Sequence, residues 1–189
     1  MIHLIIAYVV LSLAVLIALV TTGVLFLITW SMIFTKAPFV PIAKKVLPEI
    51  IKAMDIKSDS KVYDLGCGDG RVLIAAWRSQ PRAKYVGLDK DWLPMICSWW
   101  QLRRTDQPKN IVILRRDFFK QDLSNATHIF TYLFPKLMDQ LLPKLQAELQ
   151  PGTKLISCDF YFTNKKPSQI IDLQRSKNAL AKKLYVYKF

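Results

Sequence analysis

The first thirty-five residues of this 189-residue chain contain no lysine, arginine, aspartate or glutamate, so all 27 basic and 14 acidic residues lie in Lys36–Phe189. A charge-free apolar stretch of that length passes the roughly 18 residues at which a sequence reads as a membrane-spanning helix. Its uncharged start and its length, beyond the ~7–15 apolar residues of a cleavable signal peptide, argue for a retained segment. Histidine is scarce too, with only His3 and His128, and Cys67, Cys97 and Cys158 show no metal-ligand spacing. A zinc site is therefore unsupported, no metal is expected, and the three cysteines read as free thiols. No internal repeat or low-complexity run is present.

Within the charge-free stretch, Tyr8 and Trp30 lie 22 residues apart, which at ~1.5 Å per residue is roughly 33 Å of helix. That matches the hydrocarbon thickness with an aromatic ring at each interface. Thr21-Thr22-Gly23 is polar but uncharged; two short helices broken at Gly23 are the alternative. Lys36, Lys44, Lys45 and Lys52 follow closely, so the charged remainder is expected on the cytoplasmic side of a single-pass membrane protein. The net charge of +13 fits anionic lipid headgroups, an acidic protein or nucleic acid. For a tethered domain, lipid attraction of about 1 kcal/mol per basic residue near the surface is the simplest account. The basic residues are scattered without an aromatic-basic stacking motif, so no nucleic acid is expected; a merely solvated basic surface stays open.

The chemistry-bearing segment is Val62-Tyr63-Asp64-Leu65-Gly66-Cys67-Gly68-Asp69-Gly70-Arg71: a strand ending in an acid, a turn through three glycines, then the apolar helix Val72-Leu73-Ile74-Ala75-Ala76. A second strand, Tyr85-Val86-Gly87-Leu88, ends in Asp89. Paired strand-end carboxylates around a glycine turn suit a nucleoside cofactor across the carboxyl ends of a parallel sheet. A dinucleotide fingerprint would need its third glycine at position 71, but that residue is Arg71 and the glycine comes one position early, at Gly70. The pattern D-x-G-x-G-x-G resembles the first motif of class I S-adenosylmethionine-dependent methyltransferases.

The remaining elements follow from periodicity and punctuation. Ala37-Pro38-Phe39-Val40-Pro41 is a link, and Leu47, Ile50, Ile51 and Met54 form one face of a helix before the core. Strands are expected at Lys61–Leu65, Lys84–Asp89, Ile111–Leu114, His128–Leu133 and Lys154–Phe160, with a late antiparallel pair near Ile170–Leu173 and Leu184–Phe189. Helices are expected after the glycine turn to Ser79, over Trp92–Arg103, and from Pro135 to Gln150, where the proline suits the first turn. The expected fold is α/β, a three-layer sandwich of the class I methyltransferase (Rossmann-like) type with a mainly parallel seven-stranded sheet. The divisions are an anchor over 1–35, a linker and pre-core helix over 36–60, and the methyltransferase domain over 61–189.

The methyltransferase resemblance assigns roles to the residues that match. S-adenosylmethionine would be held by Asp64 at its amino group, by the backbone of Gly66, Cys67, Gly68 and Gly70, and by Asp89 at the ribose. Lys90 or Trp92 would cover the adenine, and Asp117, with Phe118 beside it, would accept from the adenine amino group. Simpler readings stand beside these: Asp117 caps a turn, Trp92 is core, and Asp69 faces solvent or pairs with Arg71. The acceptor side is Thr131-Tyr132-Leu133-Phe134-Pro135, where Tyr132 and Pro135 are the substrate-side candidates. It lacks the Asn/Asp-Pro-Pro-Tyr/Phe run of enzymes that methylate amide or adenine nitrogens. A buried strand end with a helix-starting proline is the plain alternative.

Taken with the anchor, Pro38-Phe39-Val40-Pro41 and Leu149-Gln150-Pro151-Gly152, the chain resembles, from about Val15 to Phe189, the membrane-anchored lysine methyltransferases of the ATP synthase c-subunit and adenine nucleotide translocase group and their prokaryotic relatives. That resemblance implies a lysine ε-amino acceptor in a membrane protein and a segment at Phe39 and Pro41 that closes over the cofactor. Tyr132–Pro135 and Lys165-Lys166 depart from the animal members, leaving the substrate open. A membrane small molecule, a phospholipid amine or quinone precursor, is the other acceptor class, and an inactive cofactor-binding scaffold the non-enzymatic one. Any lysine acceptor must lose a proton, at about 4.6 kcal/mol from pKa ~10.4 at pH 7; with no histidine in the motifs, water carries it, with Tyr132 or Asp159 as possible help.

Overall fold

The computed structural model describes residues 2–34, 40–105, 108–173 and 180–189. The chain divides into two units, Met1–Pro38 and Phe39–Phe189. In the first, helix α1 runs unbroken from Ile2 to Phe34, so the polar patch does not divide it at Gly23. Thr21 returns its hydroxyl to the carbonyls of Ile17 and Ala18 at 2.9 Å, and Thr29 does so to Leu25 at 2.7 Å. A hydroxyl that bonds back to its own helix needs no outside partner, which is the condition for sitting in an apolar medium. By length and composition, Ile2–Thr29 is able to cross a membrane.

The second unit opens with a 3₁₀ turn and helix α2 (Leu47–Met54), followed by β1 (Lys61–Leu65), α3 (Arg71–Ser79), β2 (Lys84–Asp89), α4 (Trp92–Arg103) and β3 (Ile111–Arg115). Then come β4 (His128–Thr131), α5 (Pro135–Glu148), β5 (Lys154–Cys158), β6 (Gln169–Asp172) and β7 (Lys183–Lys188). The strand order is β3-β2-β1-β4-β5-β7-β6. β1 through β5 pair in parallel, while β7 runs antiparallel between β5 and β6. The sheet is therefore mixed, five parallel strands with an antiparallel pair at one edge.

Two strands stop earlier than the sequence led us to expect. β5 ends at Cys158, not Phe160, because Asp159 adopts φ 60°, a left-handed backbone that cannot continue a strand. β4 ends at Thr131, not Leu133, since Tyr132–Phe134 make the turn that delivers Pro135 to the first position of α5. The parallel strands read as apolar runs because both faces are covered. Val62, Ile113, Phe130 and Ile156 pack under α2, α3 and α4, while Tyr63, Leu65, Ile129 and Leu155 pack under α5 alone. Strand order reverses between β1 and β4, and in such sheets the crevice at the reversal is where ligands bind, beyond the strands' carboxyl ends.

Candidate active site

The glycine turn folds across the end of the neighbouring strand. Leu88 O accepts from both Gly66 N (2.8 Å) and Cys67 N (3.0 Å). Gly66, Gly68 and Gly70 all take positive φ, at 78°, 56° and 75°. At Gly66 a side chain would also meet Leu133 Cδ2 at 3.1 Å, so the turn touches the acceptor segment directly. Asp89 then grips the loop: its Oδ2 accepts from Gly68 N at 2.9 Å and its Oδ1 from Asp91 N at 3.0 Å. Burial raises the Asp89 carboxyl above its ordinary value, with the two backbone N–H groups pulling it back.

Asp64 differs. It is 2 % exposed, on the α3 face of β1, and accepts no hydrogen bond among the described residues. Burial first, then the charges of Asp89 and Asp69, push its carboxyl well above the usual range. A buried carboxylate with no partner costs free energy unless something cationic completes it. Beside a glycine turn that brings bare backbone to the crevice, that is what the ammonium of a methionine moiety would supply. The residues present therefore fit S-adenosylmethionine: Asp64 for the amino group, the loop backbone for the chain, Asp89 for the ribose.

Asp69, expected to face solvent or to pair with Arg71, is 5 % exposed and does pair. Arg71 Nε donates to its Oδ1 at 2.9 Å, Arg71 Nη2 to its Oδ2 at 2.5 Å, and Gln101 Nε2 to the same Oδ2 at 2.7 Å. Burial opposes the charge of Asp69, but the guanidinium and the amide overcome it and hold the carboxyl below its ordinary value. Arg71 Nη1 also reaches Ile42 O at 2.5 Å. One ion pair thus straps the glycine loop to α4 and to the chain entering α2.

The other candidates fall into place unevenly. Arg116 N donates to Asp89 O at 2.9 Å, carrying Asp117 past the same strand edge. There Asp117 Oδ1 accepts from Phe119 N at 3.0 Å and caps a turn, while the rings of Phe118 and Phe119 lie 4.8 Å apart. Lys90 is exposed and its carbonyl accepts from Arg115 Nε at 3.3 Å. Trp92 is 49 % exposed, so it is not core. Cys67 is buried with its thiol pushed well up by burial, which makes it a packing residue and not a nucleophile. Phe39 lies outside the described residues, and Pro41 is exposed.

On the acceptor side, Thr131 stands opposite Leu65 in the sheet, which puts Tyr132 next to the glycine turn. Its ring stacks on Phe160 at 5.8 Å, and Phe134 meets Phe160 at 5.5 Å. Burial, then the nearby Asp159 carboxylate, pushes the Tyr132 phenol up to about 12. Asp159 is itself occupied, accepting from the backbone N–H of Ala181 (2.7 Å) and Lys182 (2.5 Å). Pro135 is the exposed first residue of α5. His128 starts β4, at the opposite end of that strand.

Sequence reasoning missed Gly87 and the tie made by Gln101. A Cβ at Gly87 would lie 2.7 Å from Leu73 Cδ1 and 2.9 Å from Cys67 Sγ. A glycine inside an apolar strand is the available signal for such close approach; nothing in the sequence flags a pairing 32 residues apart.

Residues 64–169 match the family model described as the ANTKMT methyltransferase domain. The chain is 31 % identical over 137 residues to a protein-lysine N-methyltransferase of Saccharolobus islandicus, covering 72 % of this chain and 85 % of that one. It is 29 % identical over 137 residues to the ATP synthase c-subunit lysine N-methyltransferase of Xenopus laevis, covering 70 % of this chain and only 58 % of that one. A crystal structure of an RNA methyltransferase from Salinibacter ruber, in complex with S-adenosyl-L-homocysteine, superposes with TM-score 0.72 at 29 % identity, covering 79 % of this chain and 93 % of that one. The chain belongs to the ANTKMT methyltransferase family, with the class I fold and S-adenosylmethionine as its methyl donor.

Proposed function

We propose that this member of the ANTKMT methyltransferase family moves a methyl group from S-adenosylmethionine to the ε-amino group of a lysine in a membrane-associated protein. The observation that carries the methyl-transfer reading is Asp64, buried beside the glycine turn and without a hydrogen-bonding partner among the described residues. The lysine reading rests on the archaeal and frog relatives, which are named as lysine methyltransferases, and on the aromatic end of β4 and β5. We read residues 1–35 as a single-pass anchor, 36–60 as a linker with the pre-core helix, and 61–189 as the catalytic domain. The lysines that follow α1 favour the cytoplasmic face for that domain.

S-adenosylmethionine brings an activated methyl, so what remains for the protein is alignment. Asp64 and Asp89 fix the donor from two strand ends. Leu133, against Gly66, brings the β4 turn to the donor's edge. The aromatic cluster of Tyr132, Phe134 and Phe160 offers a surface for an alkylammonium, whose charge is favoured over aromatic rings. With its phenol pushed up to about 12, Tyr132 stays protonated at neutral pH and acts by hydrogen bonding, not as a base. The lysine proton leaves to water.

The match to an RNA methyltransferase and the net charge of +13 support a second reading, an RNA acceptor. One experiment separates these and the small-molecule alternative. Membranes and total RNA from a strain lacking the gene are incubated with the full-length enzyme and tritiated S-adenosylmethionine, then split into protein, lipid and RNA fractions. Label on a protein lysine, mapped by mass spectrometry, is the expected result. Label confined to the RNA or to the lipid extract would overturn it.

A further inference from the structure

Helix α4 carries much of its apolar surface outward. The side it turns to the core carries Pro94 and Ser98, both buried, with Met95 and Leu102 packed against the core and Gln101 reaching Asp69. Ser98 lies against Gly70, whose missing side chain leaves it room. Five bulky apolar residues face the other way: Trp92, Leu93, Ile96, Trp99 and Trp100 are each 45–55 % exposed. Their spacing at i, i+1, i+4, i+7 and i+8 from Trp92 places them within an arc of about 120° on one helical face. An exposed apolar patch of this kind marks a binding surface more often than bare solvent.

Its surroundings name the partner. From Trp92 to Arg104 there are two arginines and no acid, and the Arg104 guanidinium lies over the Trp100 ring, 3.3 Å from its centroid. Lys90, Lys109 and Arg115, all exposed, stand at the ends of α4 and β3. Tryptophans with an arginine fringe suit the boundary between acyl chains and anionic headgroups, where an amphipathic helix lies in the plane.

We propose that the outer face of α4 is a second membrane contact, lying in the interface of an anionic bilayer. This rests on the reading of the chain as membrane-associated, and it adds an orientation. α4 starts three residues after Asp89, so a docked α4 sets the cofactor crevice at headgroup height. The acceptor lysine is then one that projects at the bilayer surface, not one on a domain standing well clear of it.

The exposed Cys97 sits on α4, while Cys67 and Cys158 are buried, so the full-length chain carries its own labelling site. A nitroxide on Cys97 is followed in vesicles of phosphatidylcholine and phosphatidylglycerol by its collisions with oxygen and with a water-soluble nickel chelate. The expected result is a label that favours oxygen, whereas a label at Gln146→Cys on α5, in a Cys97→Ser background, favours the chelate. Replacing Arg103 and Arg104 together by Gln should lower the docking equilibrium constant about 30-fold, from roughly 1 kcal/mol per basic residue at 1.36 kcal/mol per tenfold. A Cys97 label as open to nickel as the α5 control overturns the proposal while leaving insertion through α1 intact. A label shielded from both reagents overturns it too, because protein then covers the face. A chain that stays out of the vesicles altogether sinks the membrane reading as well.

Discussion

At the β1–β2 end of the sheet, nearly every polar group is answered: Asp89 by two backbone N–H groups, Asp69 by Arg71 and Gln101, the loop amides by Leu88 O. Asp64 alone among these carboxylates is left over. At the β4–β5 end the pattern reverses, with rings of Tyr132, Phe134 and Phe160 at 5.5–5.8 Å and Asp159 spent on the backbone entering β7. On the proposed function, the difference is one of ligand. A cofactor with fixed amino and hydroxyl groups rewards fixed polar partners, and binding energy is gained by having them in place beforehand. A flexible lysine chain rewards a sleeve of apolar and aromatic surface.

The comparison is broken most severely at Arg71. Arg71→Ala strands a buried Asp69 without its countercharge, at about 3–5 kcal/mol of stability, read as a lower denaturation midpoint for the full chain in detergent. The pH dependence has a definite sign. The Asp69 carboxyl is held low, so its contribution is present above the ordinary carboxylate pKa and is lost as pH falls through the lowered folded value. In Arg71→Ala that acid limb should flatten.

Asp89→Ala removes the clamp on Gly68 and the proposed ribose partner together. A charge-assisted hydrogen bond is worth about 1.5–3 kcal/mol, so S-adenosylmethionine affinity by calorimetry should fall roughly tenfold to a hundredfold. Unchanged affinity would show that the donor lies elsewhere.

Asp64→Asn sharpens the contrast, because it should move stability and binding in opposite directions. Without cofactor the Asp64 carboxyl is raised by burial, so the folded state holds its proton longer than the unfolded chain. Stability therefore declines as pH climbs from the ordinary carboxylate value through the raised one. The amide removes that decline and should raise Tm by about 2–4 °C for each kcal/mol recovered, while S-adenosylmethionine binding weakens by a factor similar to Asp89→Ala. A variant that loses stability as well as binding would mean that Asp64 is a structural residue and not a ligand.

Gly87→Ala tests packing beneath the loop. Its new methyl must displace Leu73 and Cys67, an overpacking cost of about 1–3 kcal/mol. Cofactor affinity should suffer only through the shifted loop, so the loss in stability exceeds the loss in binding.

Those outcomes bear on what a reader of the sequence had in hand. The strand-turn-helix around Asp64–Arg71 was legible because glycine placement and flanking apolar runs are local signals, and the late antiparallel pair followed from strand spacing. The buried state of Asp69 was not legible, since it depends on Gln101 and on Ile42 O, neither of which is marked by type or spacing. Nor was the outward turn of the tryptophans on α4. Helical periodicity says that they share a face but leaves open which way the face points, and Ser98 against Gly70 decides that. The acceptor end was the hardest to read, because Tyr132, Phe134 and Pro135 look the same in sequence whether they line a channel or start a helix, and Pro135 visibly does the latter.

Tyr132→Phe is the smallest change and bears on chemistry alone. The phenol is half-buried beside Asp159 and pushed up to about 12, so at neutral pH it carries its proton and cannot take one from the lysine ammonium. If its part is to orient the amine, deleting the hydroxyl costs one hydrogen bond, about 1 kcal/mol, a several-fold loss in kcat/KM with ring packing on Phe160 retained. A general base would be worth about 10²–10⁴ in rate and would leave a shoulder in the pH–rate profile. The expected result is a several-fold loss and a profile of unchanged shape, because water takes the proton in both enzymes. A hundredfold loss, or a lost limb in the profile, would instead make Tyr132 the proton acceptor and move the aromatic end of the crevice from sleeve to catalyst.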